Sequence, residues 1–117
     1  MTEAWPSEIR LHDNGTRLTI QFDDASVYDY SAEFLRVESP SAEVQGHAAA
    51  ERKTVGGKKN VRISEIAPVG NYAIRLEFDD GHDTGIFSWK YLAELGRDQE
   101  AIWARYVAAL AQKGLAR

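Results

Sequence analysis

Cysteine is absent from the 117-residue sequence. Its absence excludes a disulfide scaffold, a thiolate metal site, a cysteine nucleophile and a cysteine-ligated iron–sulfur cluster. Long apolar runs are missing as well, because none approaches the roughly 18 residues of a membrane-spanning helix. The first residues, Met1–Leu11, have neither the basic start nor the apolar centre of a secretory signal. We therefore expect a cytoplasmic protein without a membrane span.

An excess of positive charge is also lacking. The chain has 14 lysine and arginine residues against 18 aspartate and glutamate residues, which gives a net charge of −4. A nucleic-acid-binding surface needs a basic face, so we expect no nucleic-acid partner. The length and a hydrophobic share of 44% are enough for one core. The sequence therefore predicts a single domain over residues 1–117.

Two parts of the chain resemble each other. Leu18–Asp24 (LTIQFDD) recurs as Ile74–Asp80 (IRLEFDD), and Ser31–Leu35 (SAEFL) recurs as Ser88–Leu92 (SWKYL). In the first pair, apolar and polar residues alternate with the period of two that is typical of strands. The repeat predicts an α+β fold with a mostly antiparallel sheet, built from two similar strand-turn-strand-helix units that share one core.

The turns and helix starts of these units have recognisable residues. Asp13–Gly15 and Asp79–Gly81 end in glycine, which readily adopts the positive φ of a tight hairpin. The first-unit counterpart of Asp79–Gly81 is Asp23–Ala25, which has no glycine. Ser31 and Ser88 are placed to cap the short helices, because a serine hydroxyl accepts hydrogen bonds from the first amides of a helix.

The two units are joined by a segment with few large apolar residues. Ser39–Pro40 favours extended backbone, so the first helix is predicted to end by about Glu38. Gly46–Lys59 contains two adjacent glycines and four basic residues, and we interpret it as an exposed connection. A strand, Asn60–Ile66, is predicted to follow it.

The last predicted element is a helix. Asp98 is in position to cap it, and it runs to about Lys113, before Gly114. One apolar stripe at helical spacing is predicted to pack this helix on the sheet, with the tryptophan supplying much of the contact area. The stripe consists of Ile102, Trp103, Tyr106, Val107 and Leu110.

Three histidines are candidates for metal binding, although their spacing matches no short ligand motif. His82 lies beside Asp80 and Asp83, whose carboxylates could help it to chelate a cation. An ordinary solvated turn has the same composition, and we favour that interpretation. His47 could reach His82 only through tertiary structure, and His12 is expected on a hairpin strand that faces water.

A catalytic constellation is not readable in the sequence. Ser88 and His82 are close along the chain, but no nucleophile elbow surrounds the serine. The many carboxylates are expected to serve solubility. We therefore predict no catalytic residues and no bound cofactor.

Five segments in combination resemble one protein family, the gamma-butyrobetaine hydroxylase-like N-terminal domain family. The resemblance extends from about Glu8 to Lys113, and it implies an α+β fold like the one argued above. The segments are Glu33–Val37 (EFLRV), Ser39–Val44 (SPSAEV), Pro68–Tyr72 (PVGNY), Phe78–Gly85 (FDDGHDTG) and Ser88–Gly96 (SWKYLAELG).

The resemblance has consequences for metal binding. In the carnitine-pathway hydroxylases, this module precedes a separate iron- and oxoglutarate-dependent catalytic domain and binds a structural zinc through three cysteines and one histidine. Carried onto this chain, the cysteine positions fall on Ser39, Ser41 and Val44, and the histidine position falls on His82. The resemblance therefore implies that this zinc site is absent, and that oxygenase activity is not inherited.

A related module is also fused to Mrp-type P-loop ATPases that carry iron–sulfur clusters. By association alone, this resemblance implies a link with iron–sulfur assembly. Three hypotheses follow. The leading one is a non-catalytic accessory module that binds a protein partner. The second is a metal-binding, iron-related protein that uses His82 with Asp80, Asp83 or His47. The third is a subunit that completes the active site of another enzyme.

Overall fold

A computed structural model describes residues 5–40 and 54–117 of the chain. The described residues contain six strands and three helices in two successive sets, and no helix among them is long and apolar enough to cross a membrane. The elements are β1 (Pro6–His12), β2 (Arg17–Phe22), β3 (Val27–Ser31), α1 (Ala32–Val37), β4 (Ile63–Val69), β5 (Ala73–Phe78), β6 (Gly85–Ser88), α2 (Trp89–Arg97) and α3 (Gln99–Gln112).

The strands form two antiparallel sheets, in the orders β1-β2-β3 and β4-β5-β6. This arrangement confirms the predicted α+β fold, and each unit contributes one sheet. The alternating apolar residues of the two central strands are buried and form a common core with the helices. In β2 and β5 these buried residues are Leu18, Ile20, Phe22, Ile74, Leu76 and Phe78.

The repeat extends to the hydrogen bonds of the turns. After β2, the Phe22 amide donates to the Ser26 carbonyl at 2.8 Å, and after β5 the Phe78 amide donates to the His82 carbonyl at 2.9 Å. Ala25 takes a φ of 74° at the position where Gly81 has 90°. The first-unit turn therefore adopts the same left-handed geometry without the glycine that favours it.

The helix starts repeat in the same way. The Ser31 hydroxyl accepts from the Phe34 amide at 3.0 Å, and the Ser88 hydroxyl accepts from the Tyr91 amide at 3.1 Å. Both predicted caps are confirmed. Helix α1 ends at Val37, also as predicted, because the chain that follows contains a proline.

Each unit places the end of its helix on the third strand of the other unit. Gly96 in α2 lies against the ring of Tyr28 in β3, and Ser39, just after α1, lies against Gly85 in β6. At each of these two contacts a glycine lies against a larger residue. A Cβ on Gly96 would collide with Tyr28, and a Cβ on Gly85 would collide with Ser39. The tyrosine hydroxyl of Tyr30 adds a buried hydrogen bond to the Leu92 carbonyl at 2.6 Å. The two units are therefore interlocked rather than stacked.

The strand predicted over Asn60–Ile66 is shifted towards the C-terminus in the structure. Residues 58–61 form a turn, in which the Val61 amide donates to the Lys58 carbonyl, so the first predicted residues do not pair with β5. Strand β4 then begins at Ile63, whose amide donates to the Gly15 carbonyl at 2.7 Å. The strand continues past Pro68 because β4 lies at the edge of its sheet, where the missing amide of proline costs no ladder bond.

The side-chain cap predicted from Asp98 is wrong. Asp98 precedes α3, but its side chain makes no capping hydrogen bond, and it accepts instead from the guanidinium of Arg97 at 3.2 Å. The reason is that Asp98 also ends α2, with its amide bonded to the Glu94 carbonyl. Its φ of −104° and ψ of 18° differ from the extended conformation that turns a capping side chain back onto a helix.

The apolar stripe of α3 is confirmed in part. Tyr106 and Leu110 are buried, and Trp103 is partly buried, but Val107 is 42% exposed. Helix α3 packs along the Tyr106 side, where the hydroxyl donates to the Val55 carbonyl at 2.6 Å. Val55 is itself partly buried, so the end of the predicted exposed connection packs against the helix. The earlier part of that connection, residues 46–53, lies outside the described residues.

Candidate functional site

His82 lies inside the protein. Only 4% of the residue is exposed, so the favoured interpretation of a solvated turn is wrong for His82, although Asp79, Asp80, Gly81 and Asp83 around it are exposed. The turn directs the imidazole ring inward, where its centroid is 6.0 Å from that of Phe78. Its Nε2 atom is hydrogen-bonded to the hydroxyl oxygen of Ser39 at a distance of 2.9 Å, and Ser39 is fully buried.

The Ser39–His82 hydrogen bond joins two positions that the family resemblance assigns to zinc ligands. Ser41 and Val44, the other two positions, lie outside the described residues. Structural zinc sites are built from thiolate sulfur and imidazole nitrogen, and a neutral serine hydroxyl is not one of their usual ligands. The donors at positions 39 and 82 therefore do not fit that zinc.

Asp80 is held next to this pair by several donors. One carboxylate oxygen, Oδ2, is 2.8 Å from Nε of Arg36 and 2.7 Å from Nζ of Lys58, and the other accepts from the His82 amide at 3.1 Å. Burial would raise the pKa of Asp80, but the hydrogen bonds from Lys58, the His82 amide and Arg36 lower it to about 2. The charged carboxylate thus ties together α1, the β5–β6 turn and the segment before β4.

Two further residues, Asp83 and His47, were proposed as metal ligands beside His82 and Asp80. Asp83 is exposed, and its backbone carbonyl accepts from Arg75 at 3.2 Å. His47 lies outside the described residues. Within residues 5–40 and 54–117, no group of three histidine, aspartate or glutamate side chains could hold a metal ion. Metal binding by His82, Asp80, Asp83 and His47 stays a prediction.

A polar network that the sequence analysis missed lies on the outer face of the first sheet. The Thr19 hydroxyl donates to Asp29 at 2.6 Å and accepts from Nε2 of His12 at 2.8 Å, and Arg17 donates to Asp29 at 2.7 Å. The hydrogen bonds from Thr19 and Arg17 lower the pKa of Asp29. The pairing of Thr19 with Asp29 across β2 and β3 produces this cluster, and it could be found only once the register is known.

A buried carboxylate of α1 was also missed. Glu33 is 5% exposed, and it accepts from Nη2 of Arg117 at 2.8 Å and from Nε at 3.1 Å. The same guanidinium lies 5.2 Å from the ring centroid of Trp103. Because the two charged residues are far apart in the chain, no sequence pattern indicated the pair.

Two surface features remain. A shallow, open cavity of about 420 Å³ lies where α2 meets α3, and it is lined by Gly96, Arg97, Gln99, Glu100 and Trp103. The outward side of α3 exposes small and apolar residues at helical spacing, which places them on one face. These exposed residues are Ala101, Ala104, Val107, Ala108 and Ala111.

The fold and the site define a small α+β domain of two interlocked units, with a buried Ser–His hydrogen bond where they meet. The family described as gamma-butyrobetaine hydroxylase-like, N-terminal, matches residues 9–93, and the chain belongs to this family. This confirms the resemblance found in the sequence. Among curated proteins, no match is found.

Solved structures support the same assignment. Two solution NMR structures are similar to this chain. The first is 46% identical, with a TM-score of 0.84, and the match covers 99% of this chain and 91% of the other. The second is 45% identical, with a TM-score of 0.83, and the match covers 97% of this chain and 85% of the other. A crystal structure from Acidithiobacillus ferrooxidans is 38% identical, with a TM-score of 0.64 and coverage of 78% and 91%. That protein has unknown function and belongs to the DUF971 family.

Proposed function

We propose that this protein is a non-catalytic, cytoplasmic accessory module that binds a protein partner through the outward face of α3. Membership of a family named for an N-terminal domain supports an accessory role. The observation that carries the proposal is the exposed apolar face of this helix. Four alanines and Val107 make up most of that face, and the exposed Glu100, four residues before Ala104, adds one charge at its N-terminal end.

The composition of this face suits a protein partner better than water. An amphipathic helix at the surface of a globular protein normally exposes polar and charged residues. Here Val107 is 42% exposed, and Leu115, just after the helix, is 44% exposed. Small side chains such as Ala104 and Ala108 allow another backbone to approach closely, and covering them removes apolar surface from water.

The burial of the Ser39–His82 pair supports a non-catalytic role. A serine hydroxyl hydrogen-bonded to an imidazole is the arrangement of an activated nucleophile. Ser39 is 0% exposed, however, so a substrate atom cannot reach its hydroxyl without a rearrangement of the fold. We therefore assign the pair to structure rather than to chemistry.

The test is affinity capture from a native lysate, with surface variants as controls. Ala108→Glu places a charge on the α3 face and retains a good helix former. Gln21→Glu adds the same charge to the exposed face of β2. We expect one protein to bind stoichiometrically to the wild type and to Gln21→Glu, and to be lost with Ala108→Glu. Equal capture by all three proteins would contradict binding through α3, and capture of nothing would contradict the proposal as a whole.

Two further hypotheses compete with this one. A metal-binding protein that uses His82 with Asp80, Asp83 or His47 predicts a stoichiometric metal, which elemental analysis of protein purified without chelator or affinity tag would detect. A subunit of another enzyme predicts that the captured protein gains activity when this chain is added. The cytoplasmic location is tested by cell fractionation.

A further inference from the structure

The two units meet at a junction formed by four residues. Arg36 lies in the last turn of α1 and Ser39 lies just after that helix in the first unit, whereas His82 and Asp80 belong to the β5–β6 turn in the second. Two links cross the junction: Ser39 to His82 at 2.9 Å and Arg36 to Asp80 at 2.8 Å. The first link is fully buried, and the second is largely buried.

The geometry of the first link leaves no space for an ion. Sulfur and nitrogen atoms that share a tetrahedral zinc ion lie about 3.5 Å apart, given metal–ligand distances of about 2.3 and 2.0 Å. The oxygen of Ser39 and Nε2 of His82 are only 2.9 Å apart, which is the distance of a direct hydrogen bond. The hydroxyl therefore occupies the side of Nε2 on which a shared metal ion would lie.

We infer that in this chain a direct Ser39–His82 hydrogen bond stands where the carnitine-pathway hydroxylases bind their structural zinc, so that the junction between its units is metal-independent. The exchange is consistent with the neighbouring charges. Arg36 and Lys58 both contact Asp80, and two cations beside a carboxylate oppose the approach of a metal ion. The inference concerns stability alone, so it does not depend on the proposed partner.

The first test uses the full chain purified without a tag or chelator. We expect less than one tenth of a metal equivalent per chain, and the same melting temperature with EDTA, with added Zn²⁺ and with neither. A stoichiometric metal that is lost in His82→Ala, or a melting temperature that falls in EDTA, would overturn the inference.

The second test measures the hydrogen bond itself by urea unfolding of Ser39→Ala, His82→Ala and the double variant. Loss of the Ser39 hydroxyl leaves a buried imidazole nitrogen without this partner, so the folding equilibrium constant should fall roughly 10-fold or more. The double variant should lose less than the product of the two single losses, because both remove the same bond. Ser64→Ala, which removes an exposed hydroxyl, is the control and should change little.

If His82→Ala does not fold, Ser39→Ala and Ser39→Cys still decide the matter. Ser39→Cys supplies a thiolate that zinc favours but removes the short oxygen contact. We expect it to destabilise the protein in EDTA, as Ser39→Ala does. Full stability of both variants in EDTA would overturn the inference.

Discussion

Arg117 and Glu33 form a bidentate ion pair that joins the residues after α3 to α1. Both donors of the guanidinium edge contact the carboxylate, at 2.8 and 3.1 Å. The carboxylate is buried, whereas the arginine side chain is 47% exposed. Ion pairs at the surface contribute little, but a buried charge that loses its partner retains the full cost of its burial. The pair therefore fixes the residues after α3 against α1.

Arg117→Ala should destabilise the protein by about 1–3 kcal/mol, because it leaves the Glu33 carboxylate without its arginine. Glu33→Gln combined with Arg117→Ala should recover part of this loss, since the buried charge is then removed as well. Urea unfolding measures both effects. Arg97→Ala, which breaks an exposed pair with Asp98, is the control and should change stability much less. Equal unfolding free energies for Arg117→Ala and this control would contradict the assigned role.

Trp103→Ala should also lower stability, but less than the replacement of a fully buried tryptophan. The ring is only partly buried, with centroids of Phe34 at 6.2 Å and Tyr106 at 5.2 Å. We expect a loss of about 2–3 kcal/mol, below the range of roughly 3–5 kcal/mol for complete burial. Thermal melting measures it, with Val107→Ala on the exposed side as the control. A melting temperature unchanged by Trp103→Ala would show that these ring contacts do not stabilise the fold.

Local patterns were sufficient to predict most of the fold. The alternation in β2 and β5 and the serines before α1 and α2 depend on residues close together in the chain. Each prediction was confirmed, because strand periodicity and helix capping are local effects. The end of α1 at Val37 belongs to the same class, since a nearby proline determines it.

The candidate site was less accessible to sequence reasoning, because its contacts are long-range. Asp79–Asp83 has the composition of a solvated turn, yet His82 is buried because Ser39 and Phe78 lie beside it. Nothing within the turn indicates this burial. Only the family resemblance paired Ser39 with His82, and the structure shows that the two residues are in contact. Asp98 failed as a predicted cap because two helices share it.

Gly96→Ala should destabilise the protein, although alanine is the better helix former. Gly96 lies in α2, where helix propensity alone predicts a gain of about 1 kcal/mol. A Cβ at this position would collide with the ring of Tyr28, and we expect the clash to exceed the gain, for a net loss of about 1–2 kcal/mol. In a Tyr28→Ala background the same substitution should become stabilising. If Gly96→Ala is stabilising in both backgrounds, then α2 does not approach Tyr28 in β3 as closely as the structure shows.

Acid should weaken the junction between the units through Asp80. Its folded-state pKa of about 2 lies below the ordinary value of 3.8, so its charged form is favoured by folding. The resulting stability is fully present above about pH 4 and is lost as the pH falls towards 2. Asp80→Asn lacks this contribution, so it should be less stable than the wild type at neutral pH and should lose less stability between those two pH values.

Urea unfolding at a series of pH values measures this difference. Asp98→Asn is the matched control, because it removes a carboxylate that is exposed and bonded to the adjacent Arg97. Its stability should follow that of the wild type over the same pH range. The hydrogen bonds from Arg36, Lys58 and the His82 amide act together on Asp80, so Arg36→Ala should reduce the acid sensitivity in part. If the unfolding free energy of Asp80→Asn changes with pH in parallel with that of the wild type, then this carboxylate does not link stability to pH.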